Sequence, residues 1–203
     1  MQPLYHLKET PSQTAGPYVH IGLVPNLLGI TGIYPHDLGA SPINDGAKGE
    51  VITITGTVRD GAGMILRDAL MESWQADADG IFPGNDPRGQ ADPNVSGWAR
   101  IVADFETGEW VLRTVKPGRV PAPDGRMMTP HIALWVVARG INLGLQTRIC
   151  FEDEEEANAA CPVLGRIEHR DRVSTLLAKK TGPSAYRFDV ILQGPDETVF
   201  FDM

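Results

Sequence analysis

Glycine and proline punctuate this chain along its whole length. The 203 residues include 22 Gly and 16 Pro, which lie between short apolar runs instead of being concentrated in a linker. Such spacing is typical of many short strands joined by turns. The runs predicted as strands are Val51–Val58, Met64–Trp74, Trp98–Val102, Glu109–Val115, His131–Ala138, Gln146–Phe151, Tyr186–Gln193 and Thr198–Phe201.

Turn signals between these runs indicate how neighbouring strands pair. Asp60-Gly61 is a hairpin-type turn signal between the first two runs, and residues 106–108 join the next two. Residues 140–144 separate the fifth and sixth runs, and Gly194-Pro195 lies between the last two. Successive hairpins of this kind predict a mostly β chain that folds as a β-sandwich.

Helical signals are confined to one stretch of the chain, residues 152–180. Glu152–Ala160 begins with acidic residues, and Arg170–Lys180 places Val173, Leu176 and Leu177 on one face. We therefore expect one or two short helices. The acidic cluster of residues 152–156 is better explained as a solvated helix start than as a metal site, and residues 76–80 as a turn rather than a cation loop.

Residues 1–49 and 77–97 carry little secondary-structure signal. Loops this long in a compact domain are usually functional or lie against a partner. We therefore expect residues 1–49 to be an extended amino-terminal arm with loops that packs on a partner chain, and residues 50–203 to be the sandwich domain. The chain contains four Trp, more than the core of a sandwich needs, which leaves aromatic surface for that partner.

Composition excludes several classes of partner. The net charge of -8 repels phosphate backbones, so we expect no nucleic acid to bind. The longest apolar run, Ile132–Ala138, is far shorter than the roughly 20 residues of a membrane span, and no signal for export is visible, so a cytoplasmic protein is expected. Cys150 and Cys161 lack the spacing of a zinc or redox site and are predicted to be packing residues.

No self-contained catalytic motif is present. The sequence lacks a dinucleotide fingerprint, a Walker loop, a zinc-protease motif and a nucleophile elbow. The five histidines are scattered, and His131, at the head of an apolar strand, is better explained as a hydrogen-bonded core residue than as a metal ligand.

Several longer motifs nevertheless point to a family. In chain order they are PSQTAGPYVHIG at 11–22, WQADADG at 74–80, GEWVLRTVKPG at 108–118, PHIALWVVARGIN at 130–142, CPVL at 161–164 and AYRFD at 185–189. Together they resemble the intradiol ring-cleavage dioxygenases, and within them the alpha chain of the two-chain members. The resemblance runs from Glu9 to Met203 and is loosest over residues 23–49 and 81–97.

The resemblance implies a reaction and a cofactor. Members of the family that cleave protocatechuate insert both atoms of O2 between its hydroxylated carbons and form 3-carboxy-cis,cis-muconate. They use a non-haem Fe(III) held by two tyrosinates and two histidines. In the two-chain members this iron lies on the beta chain, which is therefore the expected partner here, together with protocatechuate and O2 as substrates.

This sequence departs from the ligand pattern of the beta chain. Val120 stands where a tyrosinate follows the KPG motif, and Ala133 stands where the second histidine of HIH lies. The loop between Gly80 and Trp98 contains no tyrosine. Only His131 remains, and a single imidazole does not hold ferric iron. The resemblance therefore implies a vestigial site, with no metal bound by this chain.

The resemblance also implies that this chain completes the edge of the partner's active site. The matching positions are Thr14, Gly16, Pro17, Tyr18 and Arg139. Arg139 would offer a fixed positive charge to an anionic aromatic acid, and Gly16-Pro17 a stiff turn. Considered without the family, Tyr18 is as well explained as an interface aromatic, and Arg139 as a turn residue paired with a carboxylate.

Three hypotheses follow from the sequence. The favoured one is an iron-free alpha subunit of an intradiol dioxygenase. The second is a self-sufficient metalloenzyme, against which the missing ligands argue. The third is a β-sandwich binding module that keeps the fold but has lost ring cleavage.

Overall fold

The computed structural model describes residues 13–202. The helices of this part are α1 (Pro17–Leu23), α2 (Glu155–Ala160) and two 3-10 turns, Leu164–Arg166 and Arg170–Leu176. The strands are β1 (Val51–Arg59), β2 (Leu70–Trp74), β3 (Trp98–Val102), β4 (Glu109–Val115), β5 (His131–Val137), β6 (Leu145–Phe151), β7 (Leu177–Gly182), β8 (Ala185–Arg187) and β9 (Val190–Ile191).

The strands form one continuous hydrogen-bonded path that folds into two layers. The order is β3-β2-β5-β6-β7-β8-β1-β4, and β9 lies beside β1. The path turns over at β7, because Leu177 and Ala178 pair with β6 whereas Lys179–Gly182 pair with β8. The predicted β-sandwich is therefore confirmed.

Strand alternation places the core between the layers. Ile132, Leu134 and Val136 of β5 are fully buried, as are Ile52 and Ile54 of β1 in the opposite layer. Buried apolar area of this kind stabilises a fold by roughly 25 cal/mol per Å². The intervening side chains of β5 face outward and are only partly covered, so this strand carries both core and candidate site residues.

A second apolar cluster lies beneath the end of β6 and includes Val120, Cys150, Cys161, Leu164 and Leu176. Both cysteines are free and buried, as the packing prediction requires. Burial raises the pKa of the Cys150 thiol to about 12, so this thiol is not a nucleophile at neutral pH.

Two predicted hairpins are wrong. The Asp60-Gly61 turn forms, since the Asp60 N–H donates to Met64 O at 3.0 Å, but only the Arg59–Ile65 bridge joins the two arms. β1 pairs instead with β4, and β2 pairs with β3 and β5, so β3 and β4 form no hairpin either. The strand predicted from Met64 begins at Leu70. A turn signal specifies a local reversal, but it does not specify the layer that the next strand joins.

The predicted helix over Arg170–Lys180 is also wrong. A 3-10 turn ends at Leu176, and the lysines belong to β7. Tertiary pairing prevails over the helical spacing, because β7 must bridge β6 and β8 to connect the layers. The other predicted helix forms, but α2 begins at Glu155, with the acidic side chains of its first turn exposed to solvent.

The last two predicted strands are shorter than expected. Tyr186–Gln193 divides into β8 and β9 at Asp189, whose Oδ1 accepts hydrogen bonds from Thr57 N at 2.7 Å and Thr57 Oγ1 at 2.8 Å. The Asp189 side chain thus bonds to β1 at the point where a backbone hydrogen bond between strands would otherwise lie. Thr198–Phe201 contacts β9 through two hydrogen bonds, from Thr198 N to Ile191 O and from Ile191 N to Thr198 Oγ1, and then reaches β6 through the Phe201–Gln146 bridge.

The long loops are ordered by buried carboxylates and short turns. Asp77, which is buried, accepts hydrogen bonds from the backbone of Asp79, Ile81 and Asp92, and so shapes residues 77–92. Within the predicted segment 76–80, residues 77–80 form a turn that the Gly80 N–H closes by donating to Asp77 O at 3.1 Å. Across residues 13–202, no helix is both long and apolar enough to cross a membrane.

Candidate functional site

The amino-terminal arm is tied to the loop between β5 and β6 by one threonine. The Gly140 N–H donates to Thr14 Oγ1 at 2.9 Å, and this hydroxyl donates to Ala138 O at 3.3 Å. Arg139 lies between these two loop residues. Two of the predicted site residues, Thr14 and Arg139, are therefore neighbours in space although 125 positions separate them in the sequence.

Gly16 and Pro17 begin α1. Gly16 has an extended backbone at the N-cap position, and Pro17 is the first helical residue, where its missing N–H costs nothing. The Val19 N–H donates to Gly16 O at 3.0 Å, which closes the first turn. A Cβ placed on Gly16 would meet no atom within 4 Å, so packing within this chain does not require glycine at that position.

Arg139 forms an ion pair with Asp68, which precedes β2. The arginine side chain is 71% exposed, so the pair lies at the surface and most of the guanidinium remains accessible. A cavity of about 290 Å³ opens beside this pair. It is lined by Gly16, His20, Ile21, Leu28, Asp68, Phe105 and Arg139.

Tyr18 projects from α1 into solvent and is 84% exposed. No hydrogen bond joins its hydroxyl to another group within residues 13–202. The structure therefore brings Thr14, Gly16 and Arg139 to one end of the molecule and leaves Tyr18 on its outer surface.

The outer face of β5 carries His131, Ala133 and Trp135. Strand register places Trp74 and Arg148 on either side of Ala133, and Trp98 beyond Trp74. A cavity of about 360 Å³ lies on this face and is lined largely by Trp74, Trp98 and Trp135. Trp110, by contrast, is fully buried in the core. The aromatic surface expected from the sequence is therefore present on this sheet face.

His131 is held in one tautomer by its neighbours. Its Nδ1 lies 2.8 Å from Thr129 O, and its Nε2 lies 3.3 Å from Arg148 Nη1. Burial, and secondarily the positive charge of Arg148, lower the pKa of His131 to about 4. The imidazole is therefore neutral at pH 7, as the prediction of a hydrogen-bonded histidine requires.

The residues around His131 do not fit a ferric ion. Val120 is buried in the second apolar cluster, and Ala133 offers only a methyl group. Nε2, the ring nitrogen that does not contact Thr129 O, already accepts a hydrogen bond from Arg148. No group of three His, Cys, Asp or Glu side chains suited to a metal occurs in the part of the chain that the structure describes.

Three residues near the predicted site were not identified from the sequence. Asp68 pairs with Arg139, and Arg148 faces His131. His20 is buried with its ring edge against Phe105, and its Nε2 has no hydrogen-bond partner among residues 13–202. Burial lowers the pKa of His20, although Asp68 opposes the shift. Of these three residues, only Arg148 could have been found from the sequence, because the register of the β5–β6 hairpin places it opposite Ala133.

Comparison with known proteins identifies close relatives over the full length. A family model described as Dioxygenase matches residues 34–194. The chain is 46% identical to the protocatechuate 3,4-dioxygenase alpha chain of Pseudomonas putida, covering 98% of this chain and 99% of the relative. It is 41% identical to the alpha chain of Burkholderia cepacia, covering 97% and 98%. The beta chain of Burkholderia cepacia is 29% identical over 80% of this chain and 73% of its own length.

The fold is shared with solved dioxygenases. Catechol 1,2-dioxygenase from Acinetobacter sp. ADP1 superposes with a TM-score of 0.55 at 20% identity, covering 86% of this chain and 71% of that one. At 20% identity, this structural similarity supports a shared fold and nothing about function. The full-length relatives and the family match together show that the chain belongs to the intradiol ring-cleavage dioxygenase family.

Proposed function

We propose that this chain is the alpha subunit of a protocatechuate 3,4-dioxygenase and works with a beta chain. The reaction is intradiol cleavage of protocatechuate by O2 to 3-carboxy-cis,cis-muconate. The observation that carries the proposal is the junction of Thr14 with the Arg139 loop, which presents an arm, an open glycine and an exposed guanidinium on one surface. Similarity to alpha chains over the whole length supports it.

The iron of the assembly belongs, in this proposal, to the beta chain. Val120, Ala133 and the hydrogen bond from Arg148 to His131 leave this sheet face without a ferric ligand set. A chain with similar sandwich topology but intact ligands is the natural place for the metal. This chain then contributes structure and a wall of the active site.

Arg139 is the group that would meet the substrate. Protocatechuate is an anion, and a guanidinium binds a carboxylate through paired N–H donors. The exposed pair with Asp68 contributes at most about 1 kcal/mol, so Arg139 is free to share its charge with a second carboxylate. If the partner chain covers this surface, it would exclude water and strengthen the attraction between Arg139 and the substrate carboxylate.

The arm supplies the contact with the partner. Many large apolar side chains between residues 18 and 38 are exposed in the isolated chain, an arrangement typical of protein interaction surfaces. They are Tyr18, Ile21, Leu27, Leu28, Ile30, Ile33, Tyr34 and Leu38. We propose that residues 13–49 pack on the beta chain and that residues 50–202 form the sandwich. Residues 1–12 of the proposed arm lie outside the described residues.

We further propose a cytoplasmic location, which suits the free thiols of Cys150 and Cys161.

The deciding measurement is iron content together with protocatechuate-dependent O2 uptake. Both should be measured for this chain purified alone and for the chain co-expressed with a beta chain. We expect iron, ligand-to-metal colour and turnover only in the co-expressed complex.

The other outcomes separate the alternatives. Stoichiometric iron and turnover in the lone chain would show that it is a self-sufficient metalloenzyme. Failure to assemble with any beta chain, with binding of an aromatic acid and no turnover, would indicate a binding module instead.

A further inference from the structure

Arg148 lies directly opposite Ala133 in the β5–β6 hairpin, on the face that carries His131. Its Nη1 is 3.3 Å from His131 Nε2 and 3.3 Å from Met128 Sδ. The guanidinium carbon lies 5.6 Å from the centre of the Phe201 ring, within the range of a cation–π contact. The arginine head group thus contacts three other side chains.

The hydrogen bonds of His131 define what Arg148 does there. Thr129 O can only accept, so the nitrogen 2.8 Å away, Nδ1, carries the proton. The other nitrogen, Nε2, therefore has a lone pair, and the Arg148 N–H donates to it. This lone pair is the one that a metal ion would need, because a metal binds only an unprotonated ring nitrogen.

We propose that Arg148 is a built-in cation that keeps metal ions off this sheet face. It does so in two ways. It occupies the only free lone pair of His131, and it places a permanent positive charge beside the position that a cation would take. Restoring a second ligand at position 133 would then not be enough to bind a metal.

This inference extends the proposed function by giving the iron-free face a cause besides lost ligands. In an assembly of two similar sandwiches, the fixed charge would direct metal to the chain that uses it. The test measures metal binding by this chain and does not measure turnover. The inference can therefore fail while the proposed function holds, and the proposed function can fail while the inference holds.

The experiment compares Ala133→His with Ala133→His/Arg148→Gln. The new histidine lies two residues from His131 on the same strand face, so the two imidazoles form a chelating pair. Gln keeps a long polar side chain but removes the charge. The matched control is Ala133→His/Arg113→Gln, because Arg113 is an exposed strand arginine of β4 in the other layer. Co²⁺ affinity is measured by calorimetry and visible absorption on the full chain assembled with the beta chain, whose own contribution is common to all variants.

We expect Ala133→His/Arg148→Gln to bind Co²⁺ at least tenfold more tightly than Ala133→His or the control. Equal affinity of Ala133→His and Ala133→His/Arg148→Gln, whether strong or weak, would overturn the proposal. If Ala133→His does not assemble, Arg148→Gln and Arg113→Gln are compared with Cu²⁺, which has the highest affinity for imidazole among the divalent metals of the first row. A gain of at least threefold for Arg148→Gln is then expected, and no gain would overturn the proposal.

Discussion

At the scale of single residues, Arg139 and Gly16 matter because the chain itself makes so little use of them. Arg139 forms one exposed ion pair, with Asp68, and Gly16 has open space where a side chain would lie. Neither arrangement stabilises this chain appreciably. Their value is therefore expected to lie in what the surface meets in the assembly.

Replacing Arg139 should weaken substrate binding without weakening the fold. We expect Arg139→Gln to raise the KM for protocatechuate about tenfold, as loss of a charged contact predicts, and to leave Tm unchanged. Steady-state O2 uptake and thermal melting measure the two effects. The matched control is Arg126→Gln, because Arg126 also pairs at the surface, with Asp124. A wild-type KM in Arg139→Gln would contradict the active-site assignment.

Adding one methyl group at Gly16 tests whether the arm faces the partner's cavity. Gly16→Ala should leave melting nearly unchanged, since an N-cap Gly→Ala change costs on the order of 1 kcal/mol or less, but it should reduce turnover severalfold. Gly22→Ala is the control, because Gly22 also has open space around it within the same helix. Equal turnover of the two variants would show that the glycine at position 16 serves no site.

At the scale of elements, the β5–β6 hairpin organises the whole candidate site. Its outer face carries His131 and Arg148, and its connecting loop carries Arg139 and receives Thr14 from the arm. The hairpin is anchored because the opposite face of β5 is fully buried. A rigid strand pair thus positions an exposed loop and, through Thr14, the start of α1.

Removing the hydroxyl of Thr14 should release the arm from this hairpin. Thr14→Val keeps the shape of the side chain but removes both of its hydrogen bonds, so we expect faster amide exchange over residues 14–23 and a several-fold lower kcat/KM. Thr175→Val is the matched control, because Thr175 Oγ1 likewise accepts a backbone N–H, from Val199, and donates to a carbonyl, of Arg172. Unchanged exchange in Thr14→Val would contradict the anchoring role.

At the scale of the whole molecule, the exposed apolar residues of the arm are expected to pack on a partner. A chain of net charge -8 with this much exposed apolar surface is expected to be stable as part of an assembly. The chain is similar to both alpha and beta chains of the relatives, which supports the proposed pairing of two related chains.

A charge placed in the arm should prevent assembly. Leu27→Asp or Ile33→Asp should weaken association with the beta chain at least tenfold, because a carboxylate would be buried without a partner. Val111→Asp on β4 is the control, since Val111 is 56% exposed and the two arm residues are 58% and 57% exposed. Size-exclusion chromatography and activity measure the outcome. If Val111→Asp weakened association equally, the arm would not be the surface that contacts the beta chain.

The low pKa of His131 predicts a loss of stability in mild acid. The pKa of His131 is lowered to about 4 in the folded chain from an ordinary value of 6.5, so the unfolded chain takes up a proton first as pH falls. Stability is therefore present above about pH 6.5 and declines towards pH 4. Between pH 7 and 4.5 we expect the wild type to lose about 1–2 kcal/mol more than His131→Gln. Melting curves at both pH values test this, and parallel losses would contradict it.

Local pattern determined much of the architecture. Short β-type runs bounded by turn residues located β1, β3, β4, β5 and β6 closely, because such runs can be recognised without knowledge of the partner strand. The resemblance to the family implied that Val120 and Ala133 stand at ligand positions, and neither side chain has a donor atom for iron. The motifs of the arm and of the ARG segment pointed to Thr14, Gly16 and Arg139.

Only the tertiary structure decided how these parts meet. The layer that each strand joins, the strand character of β7, the contact of Thr14 with Gly140 and the hydrogen bond of Arg148 to His131 all depend on pairing between distant segments. The free energy that selects those pairings comes from burying apolar faces of two layers against each other, a property of the assembled sheets that no short stretch of sequence contains.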